Sequence, residues 1–181
     1  MIKKIFTYYK IPLLLSITIG IVIAAMGVAR NTLDIIEIAI GALLGTFALD
    51  MEYIMYPYLF DPKTDFSKSI FAFVKHKDYG GLIGFINEHK SSIEDKSLNS
   101  ALFQLVLVPL SIYLVYSNAS YFIKTFTLSI FANSIYKLIE AYFEGKTEDW
   151  FWAIKGTPKK EGVLLFIIAL IVVLIFCLWI I

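Results

Sequence analysis

Three apolar stretches of this sequence carry polar side chains at helical intervals, and those side chains are where chemistry could occur. Glu37, Gly41, Gly45, Ala48 and Glu52 recur at i, i+4, i+8, i+11 and i+15, one stripe of a helix with about 3.6 residues per turn. Thr125, Ser129, Asn133, Tyr136 and Glu140 repeat that spacing, and Ser97, Ser100, Gln104 and Ser111 share a face of a third segment. A charge near a bilayer centre costs about 2.5–3.5 kcal/mol, so each needs a partner, a cavity or a role. The stripes should converge, with their carboxylates at one end: Glu52, Glu140 and, beside them, Asn99 and Asp50. Asp50 lies roughly 160° around a regular helix from Glu52, so one pocket can receive both only if the backbone is re-aimed, for which Pro57 is a candidate.

Asp50, Glu52 and Glu140 are the candidate catalytic carboxylates, and Asp50, Glu52, Asn99 and Glu140 the candidate metal ligands. Such hard oxygen donors suit magnesium, manganese or calcium better than zinc. Lys137, three residues before Glu140, offers that carboxylate a structural ion pair, a reading that needs no cofactor. The only histidines, His76 and His89, are separated by a glycine-containing break and read as surface residues rather than ligands. Tyr79-Gly80-Gly81-Leu82-Ile83-Gly84 has no preceding strand and no following Lys-Ser/Thr, so it fails as a phosphate loop. Cys177, the single cysteine, lies in an apolar run without a histidine partner and is no candidate nucleophile.

The elements that must position these groups follow from composition. Of 181 residues, 59% are hydrophobic and 17% charged, against about 45–50% and 25% in soluble domains. The formal net charge of +1 gives no basic field for nucleic acid. Apolar runs of membrane-spanning length fall at 11–29, 35–58, 98–116, 121–143 and 163–181. The first exceeds a signal-peptide core and reads as an uncleaved anchor. Continuous runs rather than alternation predict an all-α, polytopic transmembrane bundle of five spans.

Lysines select an orientation. Lys3, Lys4 and Lys10, then Lys63, Lys68, Lys75, Lys77, Lys90 and Lys96, then Lys146, Lys155, Lys159 and Lys160 fall on one side of five spans. The positive-inside rule therefore places the N-terminus in the cytoplasm and the C-terminus outside, in a plasma (inner) membrane, with Trp150 and Trp152 at the inner interface and Trp179 at the outer one. Residues 60–97 form a cytoplasmic insertion. Asp61-Pro62 reads as a helix start, Phe66, Ile70, Phe73 and Val74 as an apolar face, and Leu82–His89 as a second short amphipathic helix beyond a glycine break.

Three segments together resemble the bacterial membrane-bound metal-dependent hydrolase-like proteins. Gly41-Ala42-Leu43-Leu44-Gly45 leading to Asp50-Met51-Glu52-Tyr53 is similar to their small-residue helix ending in Asp-x-Asp. Ser97-Leu98-Asn99-Ser100 is similar to their His-Ser helix opening, and Tyr136-Lys137-Leu138-Ile139-Glu140 to their His-x-x-x-Asp helix. The resemblance implies a membrane bundle, a metal site and hydrolysis of a lipid-linked substrate. Here Asn99 and Tyr136 stand where histidines are expected, and Glu replaces Asp at 52 and 140. Loss of both nitrogen ligands implies a relative that kept the bundle and lost or changed the chemistry. The first-ranked function is a non-catalytic scaffold or assembly partner, in contact with lipid and with a membrane-protein partner. A metal-assisted hydrolase ranks second and a small transporter or channel subunit third.

Overall fold

The computed structural model describes residues 2–26, 31–59, 61–89, 97–153 and 158–181. Among the described residues the chain forms nine α-helices and no strand: α1 (Ile2–Ala25), α2 (Thr32–Ala48), α3 (Met51–Leu59), α4 (Asp65–Lys75), α5 (Tyr79–His89), α6 (Ala101–Tyr116), α7 (Tyr121–Glu144), α8 (Thr147–Trp150) and α9 (Lys160–Ile180). Parts of the expected first span (27–29) and of the insertion (60 and 90–96) lie outside the described residues.

Local chemistry sets the helix limits. Ser100 and Ser120 accept hydrogen bonds from the N–H groups of Phe103 and Ile123, at 3.3 and 3.4 Å, and so cap α6 and α7. Gly145, at φ 73°, stops α7 in the left-handed conformation that glycine adopts without steric cost. The N–H of Lys146 then reaches back to Ala141 O (2.9 Å) and that of Gly145 to Tyr142 O (3.3 Å).

Helix α7 is the axis of the bundle, and every residue from 127 to 135 is buried. α1, α2, α6, α8 and α9 all pack against it. The most extensive contact is with α2, where the stripe of small residues meets the polar stripe of α7. A Cβ at Gly41 would stand 2.6 Å from Phe122 O, and one at Gly45 2.7 Å from Ser129 Cβ and 2.8 Å from Phe126 O. Small side chains let the two backbones approach this closely. Thr125 and Ser129 lie beneath these glycines, so the polar stripe of α7 serves close packing along much of its length.

The contacts also fix helix direction. Gly41 lies against Phe122 and Gly45 against Ser129, so α2 and α7 run the same way. Tyr9 meets Phe47, with ring centroids 4.8 Å apart, while Gly20 faces Ile38 and Ala42, so α1 runs opposite to both. Gln104 pairs with Ser134, and Val115 with Lys124, which makes α6 antiparallel to α7. Val163 packs in one apolar cluster with Leu138 and Trp150, Cys177 in a second with Val115 and Leu128, so α9 is antiparallel to α7 as well.

By length and composition, two helices among the described residues can cross a membrane: α1 over Tyr8–Ala25, and α9. The pair α2 and α3 makes a third if it is one span bent by 55°. The expected all-α bundle with membrane-spanning helices is met, with two or three such helices among the described residues in place of the five expected spans. α6 has 16 residues, about 24 Å at 1.5 Å per residue, short of a core of about 30 Å. α7 is long enough, with 24 residues, but carries too many polar groups to qualify. Being wrapped by other helices, it can hold polar side chains that lipid would not accept. The outward faces are apolar throughout, with Ile17, Ile36, Val106, Leu165, Val172 and Trp179 all exposed. Soluble monomers rarely leave so large an apolar girdle in water.

Helices α4 and α5 pack beside α3, and Phe66, Ile70, Leu82 and Ile86 join Tyr53 in a separate apolar cluster. The first of these helices starts later than Asp61-Pro62. Thr64 is its cap, accepting from the Ser67 N–H at 3.2 Å, while the Asp61 carboxylate closes a turn on the Lys63 N–H at 3.0 Å. Gly80 and Gly81, expected to break the chain, lie inside α5, because Asp78 caps its first turn through the Gly81 N–H at 2.9 Å. The break falls three residues before Gly80, at Lys77, which has φ 56°. Trp150, expected at an interface, is buried in the core, whereas Trp152 is exposed.

Candidate functional site

The polar residues singled out by sequence assemble where α2 gives way to α3. The helix breaks at Leu49 and Asp50, eight residues before Pro57, and short i to i+3 bonds replace the regular ladder: Asp50 N to Phe47 O at 3.0 Å and Tyr53 N to Asp50 O at 3.2 Å. Aspartate is a poor interior helix residue because its side chain competes for backbone groups. The 55° bend re-aims α3, so Asp50 and Glu52 are no longer held to opposite sides of one cylinder.

Glu52 is 5% exposed and turned into the segment that opens α6. One carboxylate oxygen accepts from the N–H groups of Ser97 and Leu98, the latter at 2.8 Å. The other accepts from the Asn99 N–H at 3.2 Å and from Asn99 Nδ2 at 2.7 Å. Three consecutive backbone donors ahead of a helix N-terminus form an anion-binding concavity, and Glu52 fills it from another helix.

Asn99 links this concavity to the rest of the site. Its amide nitrogen also donates to Leu49 O at 3.2 Å, serving a carbonyl at the helix break, and its Oδ1 accepts from Lys137 Nζ at 3.1 Å. Lys137 Nζ in turn bonds Asp50 Oδ1 and lies 5.8 Å from the centre of the Tyr53 ring, within cation–π range. Asp50, Lys137, Asn99 and Glu52 thus form one continuous network joining α2, α3, α6 and α7.

The expected Lys137–Glu140 ion pair is replaced. Glu140, part-exposed, accepts from the Tyr136 hydroxyl at 3.2 Å, one turn away on its own helix. Lys137 instead crosses to Asp50, because the break brings that carboxylate opposite α7, while Glu140 has the Tyr136 hydroxyl beside it. Of the four candidate metal ligands, Asp50, Glu52 and Asn99 are brought together, and Glu140 stands apart from their network. The oxygens a cation would use face N–H groups and an ammonium. No three His, Cys, Asp or Glu side chains converge at metal-ligand range among the described residues.

Four further ties complete the bundle. Gln104, fully buried, donates to Ser134 O and accepts from the Trp150 indole N–H, both at 3.1 Å. Asn133 Nδ2 reaches Ser16 Oγ at 2.9 Å, joining α7 to α1. Lys124 Nζ donates to Val115 O at 3.2 Å, in the last turn of α6, where a cation offsets the negative helix end. Glu37 accepts from the Phe122 N–H at 3.3 Å, in the first turn of α7. The stripes in the sequence contained Gln104, Asn133 and Glu37. The partners across the bundle had no local signal.

Comparison of the chain with protein-family models, with curated proteins and with solved structures finds no match.

Proposed function

We propose that this chain is a multi-pass protein of the plasma (inner) membrane, a non-catalytic scaffold or assembly partner. In this reading α1, α2 with α3, α6, α7 and α9 are five spans, with the N-terminus cytoplasmic and the C-terminus outside. The alternating directions of these helices, the apolar girdle and the lysine bias support that arrangement. The observation that carries the functional reading is the consumption of both acids at the helix break. Glu52 answers four N–H donors and Asp50 an ammonium. A carboxylate that is to activate water or hold a cation needs a free lone pair aimed at that ligand, whereas both oxygens of Glu52 and Oδ1 of Asp50 hold helices together instead.

The test is to purify the full chain in mild detergent and measure bound divalent metal alongside proteins that co-purify after cross-linking in native membranes. The expected result is a specific membrane-protein partner, with metal below stoichiometry in both wild type and Glu52→Gln. A stoichiometric magnesium, manganese or calcium ion, lost in Glu52→Gln, would overturn this reading in favour of a metal-assisted hydrolase related to the family the motifs resemble.

A further inference from the structure

The lipid-facing surface is not uniformly filled. Between α1 and α2 runs an apolar groove of about 400 Å³, lined by Leu13, Ile17, Gly20 and Ala24 on one side and Ala39 and Ala42 on the other. Gly20 and Ala42 meet at its floor, where a Cβ on Gly20 would stand 3.7 Å from that of Ala42, and these small residues leave the space above them unfilled. The groove opens outward, since Ile17 and Leu43 on its rims are about half exposed. From Leu13 to Ala24 it extends about 16 Å at 1.5 Å per residue, about half of a 30 Å hydrocarbon core. That length matches the depth of one leaflet; the groove starts three residues beyond Lys10 and ends one residue before Ala25, the last of α1.

Its width selects an occupant. The groove is long and shallow, and a chain of methylenes with neighbours at about 4–5 Å fits such a slot, whereas a helix is at least about 10 Å across with its side chains. At the entrance is Lys10, which lies on the same face of α1 as Leu13, Ile17 and Ala24, at i+3, i+7 and i+14. Lys10 is exposed, and the ion pairs among the described residues, Lys68–Asp65, Lys137–Asp50 and Lys146–Glu144, do not use it. A cation at the rim of a slot one leaflet deep complements a lipid phosphate above its own acyl chain.

We propose that the α1–α2 groove binds one anionic phospholipid, its acyl chain along Gly20, Ala39 and Ala42 and its phosphate at the Lys10 ammonium. The site rests on the membrane reading but does not depend on the network around Asp50. The lipid fills a packing gap between the two helices and links them to a charged leaflet.

Native mass spectrometry of the full chain in mild detergent tests this, with phosphatidylglycerol and phosphatidylcholine of matched chains as probes. One phosphatidylglycerol should remain per monomer, preferred about fivefold over phosphatidylcholine, as one lysine at a membrane surface gives. Lys10→Gln should abolish that preference while a lipid is still retained. Ala39→Trp, at an exposed position on the groove wall, should abolish retention, and Val172→Trp on the exposed face of α9 should not. Thermal unfolding reports whether Ala39→Trp folds, and Leu43→Trp on the opposite rim replaces it if it does not. Equal retention by Ala39→Trp and Val172→Trp, indifference to headgroup in the wild type, or a dimer with no lipid would each overturn the proposal. Failure of the membrane reading shows separately, as a chain that stays dispersed when detergent is removed.

Discussion

The ammonium of Lys137 is bonded to Asp50 on another helix, and not to Glu140 one turn along its own. The pairing ties the break between α2 and α3 to the central helix, at the level where Asn99 and Glu52 hold the start of α6. Each polar group there answers a need created by another. The break leaves the Leu49 carbonyl facing Asn99, the turn before α6 presents three N–H groups, and Asp50 brings a charge into a half-buried place. The bundle meets these needs internally, so its polar residues specify which helices meet and in what register.

Lys137→Met should therefore destabilise the protein more than removal of the pair. Stranding a buried charge costs about 3–5 kcal/mol. Asp50 and Lys137 are each 20% exposed, which brings the expectation nearer 2–3 kcal/mol. Asp50→Asn combined with Lys137→Met should recover most of the loss in a double-mutant cycle read by thermal unfolding in detergent. Additive losses would show that the two residues act independently.

Glu52→Ala should release the turn before α6. Its carboxylate is bonded to the N–H groups of Ser97, Leu98 and Asn99, and an unmade buried hydrogen bond costs about 1–3 kcal/mol. Amide exchange at Leu98 and Asn99 should accelerate at least about tenfold, a change of about 1.4 kcal/mol in local opening, while α9 keeps its protection. Unchanged exchange at those two amides would show that water serves them instead. Glu140→Ala, which removes only the contact with Tyr136, should leave the same amides protected.

Periodicity carried much of this into the sequence. The stripe of Gly41 and Gly45 implied a close helix contact, and the stripe of Thr125, Ser129 and Asn133 its own helix, because spacing along one helix records which face is buried. The partner of each face is a long-range fact, so nothing near residue 41 names residue 122. The Lys137 pairing was misjudged for the same reason. Glu140 is three residues away in sequence, whereas Asp50 becomes a neighbour only through a 55° bend centred on Leu49 and Asp50, which Pro57 draws attention away from. Five apolar runs in the sequence become two or three helices of spanning length and composition among the described residues, because burial decouples hydropathy from position: α7 is the innermost long helix and among the more polar ones.

The α2–α7 contact supplies a sharper mutational test. Gly45→Ala would place a Cβ 2.8 Å from the Phe126 carbonyl, a backbone atom that cannot swing aside, so the helices must part. Overpacking of this kind costs about 1–3 kcal/mol. Gly84→Ala on α5 meets nothing within 4 Å and should be neutral or stabilise by up to about 1 kcal/mol, since alanine is the better helix former. Melting temperatures that fall for the first and hold for the second would confirm that the stripe is a packing surface.

The membrane orientation is open to labelling. Asn31 precedes α2 at one end of the bundle, and Lys75 ends α4 beside α3 at the other; both are exposed. Cys177 is buried, so a Cys177→Ala background should keep the fold at the cost of a small cavity. In that background Asn31→Cys should react in intact cells with a membrane-impermeant maleimide, and Lys75→Cys only after the membrane is opened. Lys10, Lys68, Lys77, Lys146 and Lys160 lie towards the Lys75 end, and short loops rich in lysine remain cytoplasmic. Labelling in the reverse order would invert the topology. Labelling of both in intact cells would remove the second span and make α3 a segment that returns to the side it left.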